Sequence, residues 1–289
     1  MKGYHSIAEL MKQSDIAKCS PGELSCRNEA ESTGKEFDVV WNRMKRLIPV
    51  FKDSIRKGLE STSKSASGLV GGDAEKLKNG KLNFLSPICK RAAVYAIATA
   101  EANAKMFRIV ACPTAGSCGI VPSILMAVGE ELNSDEDDLT RALFTAGAIG
   151  KIVAEKACIA GAVGGCQAEC GTATAMAAAA AIDLMHGTTT QMMDAMALAL
   201  KNLLGLVCDP VAGLVEVPCV KRNGFHAVHA LVAVEMAMSG IHSVIPVDEV
   251  IAAMDQIGKL MPVSLRETSQ AGLATTKTGE CINNRLRKK

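Results

Sequence analysis

Four Gly- and Pro-rich stretches hold most of the residues in this chain that could do chemistry. The first, Cys112-Pro-Thr-Ala-Gly-Ser-Cys-Gly-Ile-Val-Pro-Ser123, runs into a predicted helix. Thr114, Gly116, Ser117 and the backbone N–H groups after them sit where a helix N-terminus would receive an anion such as a carboxylate. On the residues alone a helix-capping turn is the simpler reading. The second, Gly161-Ala-Val-Gly-Gly-Cys-Gln-Ala-Glu-Cys-Gly171, is dense in glycine, which permits close backbone approach to another group. The third, Cys208 to Cys219, brackets a Pro-rich turn, and the fourth runs from Arg266 to Cys281. Cysteine thiolates are the usual holders of iron–sulfur clusters. Cys166, Cys208 and Cys219 are too loosely spaced for spacing alone to decide. The pattern equally fits a zinc site or three unrelated core cysteines. Cys19 and Cys26 match no zinc knuckle.

The composition limits the alternatives. There are 11 cysteines, and the N-terminus opens no apolar signal segment. The Ala-rich run Thr172–Ile182 is well short of the ~20 residues a bilayer span needs. These features lead to the expectation of a cytoplasmic protein whose cysteines serve metal, redox or catalytic roles rather than disulfides. A net charge of +2 and a basic tail confined to Arg285–Lys289 suggest neither nucleic-acid nor membrane binding.

The elements that must position these loops read as helices. Apolar residues from Phe37 to Leu59 recur at three- and four-residue steps, with Pro49 kinking or dividing the run. Further helices are expected over Ile88–Ala111, Pro122–Leu132, from the acidic cap Asn133–Asp138 to about Ala157, and over Thr172–Met185, Thr190–Leu204, Gly224–Ser239 and Val247–Leu260. Aromatics make up only 3% of residues, and small side chains let helices approach closely. The expected fold is all-α. Residues 1–35 read as a polar arm (extended, or a short helix and turn), and residues 36–289 as one catalytic domain.

Taken together, the motifs resemble the α chain of iron–sulfur-dependent L-serine dehydratases. The similarity is carried by Ser67-Gly-Leu-Val-Gly-Gly-Asp73, the Cys112 loop, Gly164-Gly-Cys-Gln-Ala-Glu169, Asn202-Leu-Leu-Gly-Leu-Val-Cys-Asp-Pro-Val211, Glu216-Val-Pro-Cys219 and Leu265-Arg-Glu-Thr-Ser269, in that order. The resemblance implies an oxygen-sensitive lyase that acts without pyridoxal phosphate. It would convert L-serine to pyruvate and ammonia in amino-acid degradation and gluconeogenesis. It also implies a [4Fe–4S] cluster on Cys166, Cys208 and Cys219, whose open iron acts as a Lewis acid on the leaving hydroxyl. Thr114, Gly116 and Ser117 become the expected substrate seat, and a separate β chain the expected partner. Cys281 is a fourth ligand to consider for the resting state, Cys170 a competing one, and Cys112 and Cys118 neighbours that bind no iron. Lys64, Lys151 and the histidines are open as the base. The pair His226 and His229 lies on one helical face, as metal ligands can, although two ordinary histidines explain it more simply. The rival readings are an iron–sulfur cysteine desulfidase of the same superfamily, a cluster-binding electron carrier and a zinc-bound helical scaffold.

Overall fold

The computed structural model describes residues 3–82 and 84–288. Helix begins at once. Ser6 caps α1 (Ile7–Ala17), which buries Ile7, Leu10 and Met11 on one face. The first N–H groups of α1, at Ile7 and Ala8, donate to the Asp248 carboxylate at 2.9 and 3.0 Å, so the exposed end of the helix is satisfied by a distant acid. Ser20 and Pro21 start α2 (Pro21–Thr33), and left-handed Gly34 ends it. The polar opening stretch therefore consists of two helices built into the core, with Leu24 and Cys26 buried.

The long apolar run divides, as the proline predicts. It forms α3 (Phe37–Lys45) and α4 (Ile48–Glu60), with Pro49 in the first turn of α4 where its missing N–H is not needed. Phe37, Trp41 and Phe144 stack in series with ring centroids 5.4 and 5.5 Å apart. After α5 (Asp73–Asn79), α6 (Pro87–Ala104) is shorter than the apolar pattern suggests, because the chain leaves it through Met106 in a left-handed conformation. Next come α7 (Ile120–Leu132) and α8 (Glu136–Lys156). The cap of α8 is Asp135, which forms a capping box with Asp138.

The second half holds α9 (Gly161–Gly164) and a π turn at Gln167–Gly171. These are followed by α10 (Thr172–Leu184), α11 (Thr189–Lys201), α12 (Cys219–Met238), α13 (Val247–Leu260) and α14 (Lys277–Arg287). Every residue of α10 is buried, and it packs on α7, α8, α11 and α12. A helix apolar on all sides belongs at the centre, and its alanines let four neighbours come close. Among the described residues no strand forms; Cys208 and Arg266 make an isolated parallel bridge. No helix of the described residues is long and apolar enough to cross a membrane.

Candidate functional site

The second, third and fourth loops converge. Cys166 sits between α9 and the π turn, and Cys170 and Cys208 lie within hydrogen-bonding reach of its Sγ, Cys170 at 3.4 Å. Those two thiols hold the Cys166 thiol well below the usual range, against the opposing effect of burial. The arrangement raises Cys170 and Cys208 in turn, chiefly through the same contacts. Cys219, in the first turn of α12, is pushed up to about 12 by burial and then by the charge of Cys166. All of these cysteines are free thiols.

Each loop is fastened in place. Gln167 accepts from Gly205 N–H at 2.9 Å and donates to Met254 O at 3.0 Å, which ties the π turn to the Asn202–Val207 stretch and to α13. Cys208 N–H donates to Leu265 O at 2.9 Å, and Glu267 N–H donates to Cys208 O at 2.7 Å. Arg222 donates to Val207 O at 3.0 Å and to Asp209 at 3.1 Å, while Leu273 N–H donates to the other Asp209 oxygen at 2.9 Å. Buried Glu216 accepts from the Ser65 and Ser67 hydroxyls, so the Ser67–Asp73 loop docks on the third loop. Lys221 adds an ion pair to Asp73 at 2.6 Å.

The site also contains two carboxylates to which sequence reasoning gave no role. Glu169, Cys208 and Glu267 each offer a ligand atom, and the three atoms lie within 4.8 Å of one another. Burial raises the Glu169 carboxyl to about 7, opposed by the Thr114 hydroxyl and reinforced by the Cys166 and Glu267 charges. Burial also raises Glu267. Gly161 makes room for them. A Cβ on Gly161 would lie 2.6 Å from a Glu169 oxygen and 3.1 Å from a Glu267 oxygen. Both acids were legible only as polar residues inside the Gly164–Glu169 and Leu265–Ser269 motifs. Their separation in the chain hid their convergence.

The first loop faces the same place. Thr114 Oγ1 lies 3.1 Å from Ser117 Oγ, and Ser117 Oγ donates to Cys112 O at 3.2 Å. The carboxylate of Glu169 is beside Gly116, 3.3 Å from where a Cβ would sit. Asn223 on α12 spans to this loop, accepting from Gly119 N–H at 2.9 Å and donating to Gly116 O at 2.8 Å. The first N–H of α7 is itself taken, since Ile120 donates to Ser117 O at 3.2 Å. An anion here would rely on the Thr114 hydroxyl and the loop rather than on the helix end. Cys112 and Cys118 are buried behind the loop, and burial raises both thiols.

The residues considered as bases are placed differently. Lys64 is exposed and donates to Gly71 O at 2.6 Å, while Lys151 is exposed on α8 in a cleft with Tyr4 and Glu155. His229 joins α12 to the end of α11 through Asn202 Nδ2 and Ala199 O, both at 3.1 Å. His226 is buried near Cys166. Cys281 is exposed on α14, which packs on the turn Val211–Gly213 of the third loop.

A family model described as serine dehydratase alpha chain matches residues 17–274 of this chain. The chain is 47% identical over 287 residues to the "Probable L-serine dehydratase, alpha chain" of Bacillus subtilis (strain 168), covering 98% of this chain and 95% of that one. It is 37% identical over 263 residues to the "L-serine dehydratase, alpha chain" of Peptoniphilus asaccharolyticus, covering 90% of each. It is 36% identical over 282 residues to "L-serine dehydratase 1" of Escherichia coli (strain K12), covering 94% of this chain and 61% of that longer protein.

Proposed function

Because the chain belongs to the serine dehydratase alpha chain family, we propose that it is a lyase converting L-serine to pyruvate and ammonia at the convergence of its four loops. The observation that carries this reading is the meeting of three chain-distant features: the Cys166–Cys208–Cys219 thiols, the Glu169–Glu267 carboxylates and the Thr114–Ser117 hydroxyls.

The donor set fits a [4Fe–4S] cluster. Its sulfur ligands are free, largely buried and gathered around a thiol already biased toward thiolate. Cys166, Cys208 and Cys219 would hold the cluster. When bound, it supplies a Lewis acid, through an iron without a protein ligand, for the departing β-hydroxyl. Cys281 is proposed as the fourth ligand in the resting state, on a helix that lies against the Cys208–Cys219 loop.

The chain's own residues bind and orient the substrate. Thr114, Gly116 and Ser117 receive the serine carboxylate. Glu169 and Glu267 face the ammonium, because two partly buried carboxylates next to an anion seat are best satisfied by the opposite end of a zwitterion. Loss of the Cα proton and the β-hydroxyl gives aminoacrylate and water. Its imine tautomer then takes up water and yields pyruvate and ammonium. The relatives named alpha chain, and the longer Escherichia coli relative, support a separate β chain as partner.

Pyruvate release from L-serine and L-cysteine should be compared under anaerobic conditions. Turnover of serine without sulfide release from cysteine supports the dehydratase. Preferred turnover of cysteine would assign a desulfidase. A cluster with reversible redox and no lyase activity would assign an electron carrier.

A further inference from the structure

Helix α12 begins at Cys219, five residues earlier than its apolar pattern suggests, and this extension places four polar residues on one stripe. Cys219, Arg222, Asn223 and His226 follow the spacing i, i+3, i+4 and i+7, which lines one face of a helix. The first three already face the site. Cys219 carries a thiol there, Arg222 reaches Asp209 and Cys166, and Asn223 holds Gly116 and Gly119. His226 comes next along the same stripe, one turn deeper.

Its far ring nitrogen, Nε2, is sealed from solvent and has no hydrogen-bond partner among the described residues. A buried polar atom left in this state is costly unless something at the site satisfies it. The imidazole is buried in the neighbourhood of Cys166, Arg222 and His229. A protonated imidazole nitrogen is a donor, and Nε2 is the buried one left without an acceptor. His229, three residues on, has both nitrogens engaged with Asn202 and Ala199, so the unsatisfied nitrogen is particular to His226.

We propose that His226 is a positioning residue whose Nε2–H donates to sulfur at the Cys166 corner of the thiolate-held cluster. This inference rests on the cluster reading above. A donor to sulfur stabilises the more negative, reduced state, so it raises the reduction potential of the cluster.

The test uses the full-length chain reconstituted anaerobically with iron and sulfide, in wild type and in the His226→Leu and His226→Gln variants. Midpoint potentials are read by spectroelectrochemistry, and the rate of bleaching in air is followed in the visible charge-transfer band. His226→Leu is expected to shift the potential downward and speed bleaching. His226→Gln, which keeps an N–H, is expected to recover toward wild type. If His226→Leu loads poorly, His226→Phe, which also lacks a donor, is read in its place at equal iron and sulfide content: a lowered potential supports the donor, and an unchanged one overturns it. Equal potentials in wild type and His226→Leu at equal iron and sulfide content would overturn the inference while leaving the cluster intact. A wild-type chain that binds zinc and no iron or sulfide would overturn the cluster reading itself and the inference with it.

Discussion

Replacing Asn223 by alanine would separate the hydroxyl loop from the cysteine helix. The Asn223 side chain is fully buried and makes three hydrogen bonds. It accepts from Gly119 N–H at 2.9 Å and donates to Gly116 O at 2.8 Å and to Cys219 O at 2.9 Å. Alanine removes all three. The Cys219 carbonyl retains the intrahelical bond of the first turn, but Gly119 N–H is left in the interior and Gly116 C=O in a partly buried position. Each such orphan costs about 1–3 kcal/mol, so the predicted loss is about 2–6 kcal/mol. Water entering the space would bring it toward the lower figure. Asn223→Asp preserves shape and still accepts from Gly119, but it turns an acceptor toward two carbonyl oxygens. It should therefore destabilise at least as much as alanine despite being isosteric. Equilibrium urea unfolding read by far-UV circular dichroism gives both numbers from the shift in midpoint at constant slope. Both variants should also raise KM for L-serine, since Gly116 belongs to the proposed carboxylate seat. An Asn223→Ala loss below about 0.5 kcal/mol, the range of an unremarkable surface change, would refute the bridging role.

Other perturbations bear on separate parts of the account. Cys166→Ser, Cys208→Ser and Cys219→Ser should each lose bound iron and acid-labile sulfide, whereas Cys112→Ser, behind the first loop, should retain both on elemental analysis. Glu169→Gln removes a charge facing the proposed ammonium seat; losing a hydrogen bond between charged groups costs about 1.5–3 kcal/mol, which lowers kcat/KM for L-serine roughly ten- to a hundredfold. Gly58→Ala would put a Cβ 1.9 Å from Ala98 O where α4 crosses α6. Overpacking of that kind costs about 1–3 kcal/mol or more, and a drop in Tm would record it.

Much of the fold was legible because its signals are local. The helical periodicity of Phe37–Leu59, the dividing effect of Pro49 and the Ala-rich run of α10 each express themselves within a few turns. The start of α12 did not, because Cys219 to Asn223 carry no apolar stripe; docking against the other loops, rather than periodicity, makes that turn helical. The polar stretch before residue 36 concealed two helices, since Ile7, Leu10 and Leu24 are sparse among polar neighbours and are buried by elements far along the chain. At the site, the motifs picked out loops that the fold brings together. The meeting of Glu169 with Glu267 depends on the Cys208–Arg266 bridge, a long-range pairing that spacing does not report. The orphaned nitrogen of His226 is likewise a property of packing, invisible in a Gly-Phe-His-Ala sequence.

The most direct test is an anaerobic L-serine-to-pyruvate assay on the chain purified with the proposed β chain, run before and after exposure to air, with iron and sulfide measured in parallel. The account predicts activity that falls as iron and sulfide are lost in air and returns with iron and a reductant. Activity that survives air and follows added pyridoxal phosphate would contradict it, and would remove Cys166, Cys208 and Cys219 from the chemistry.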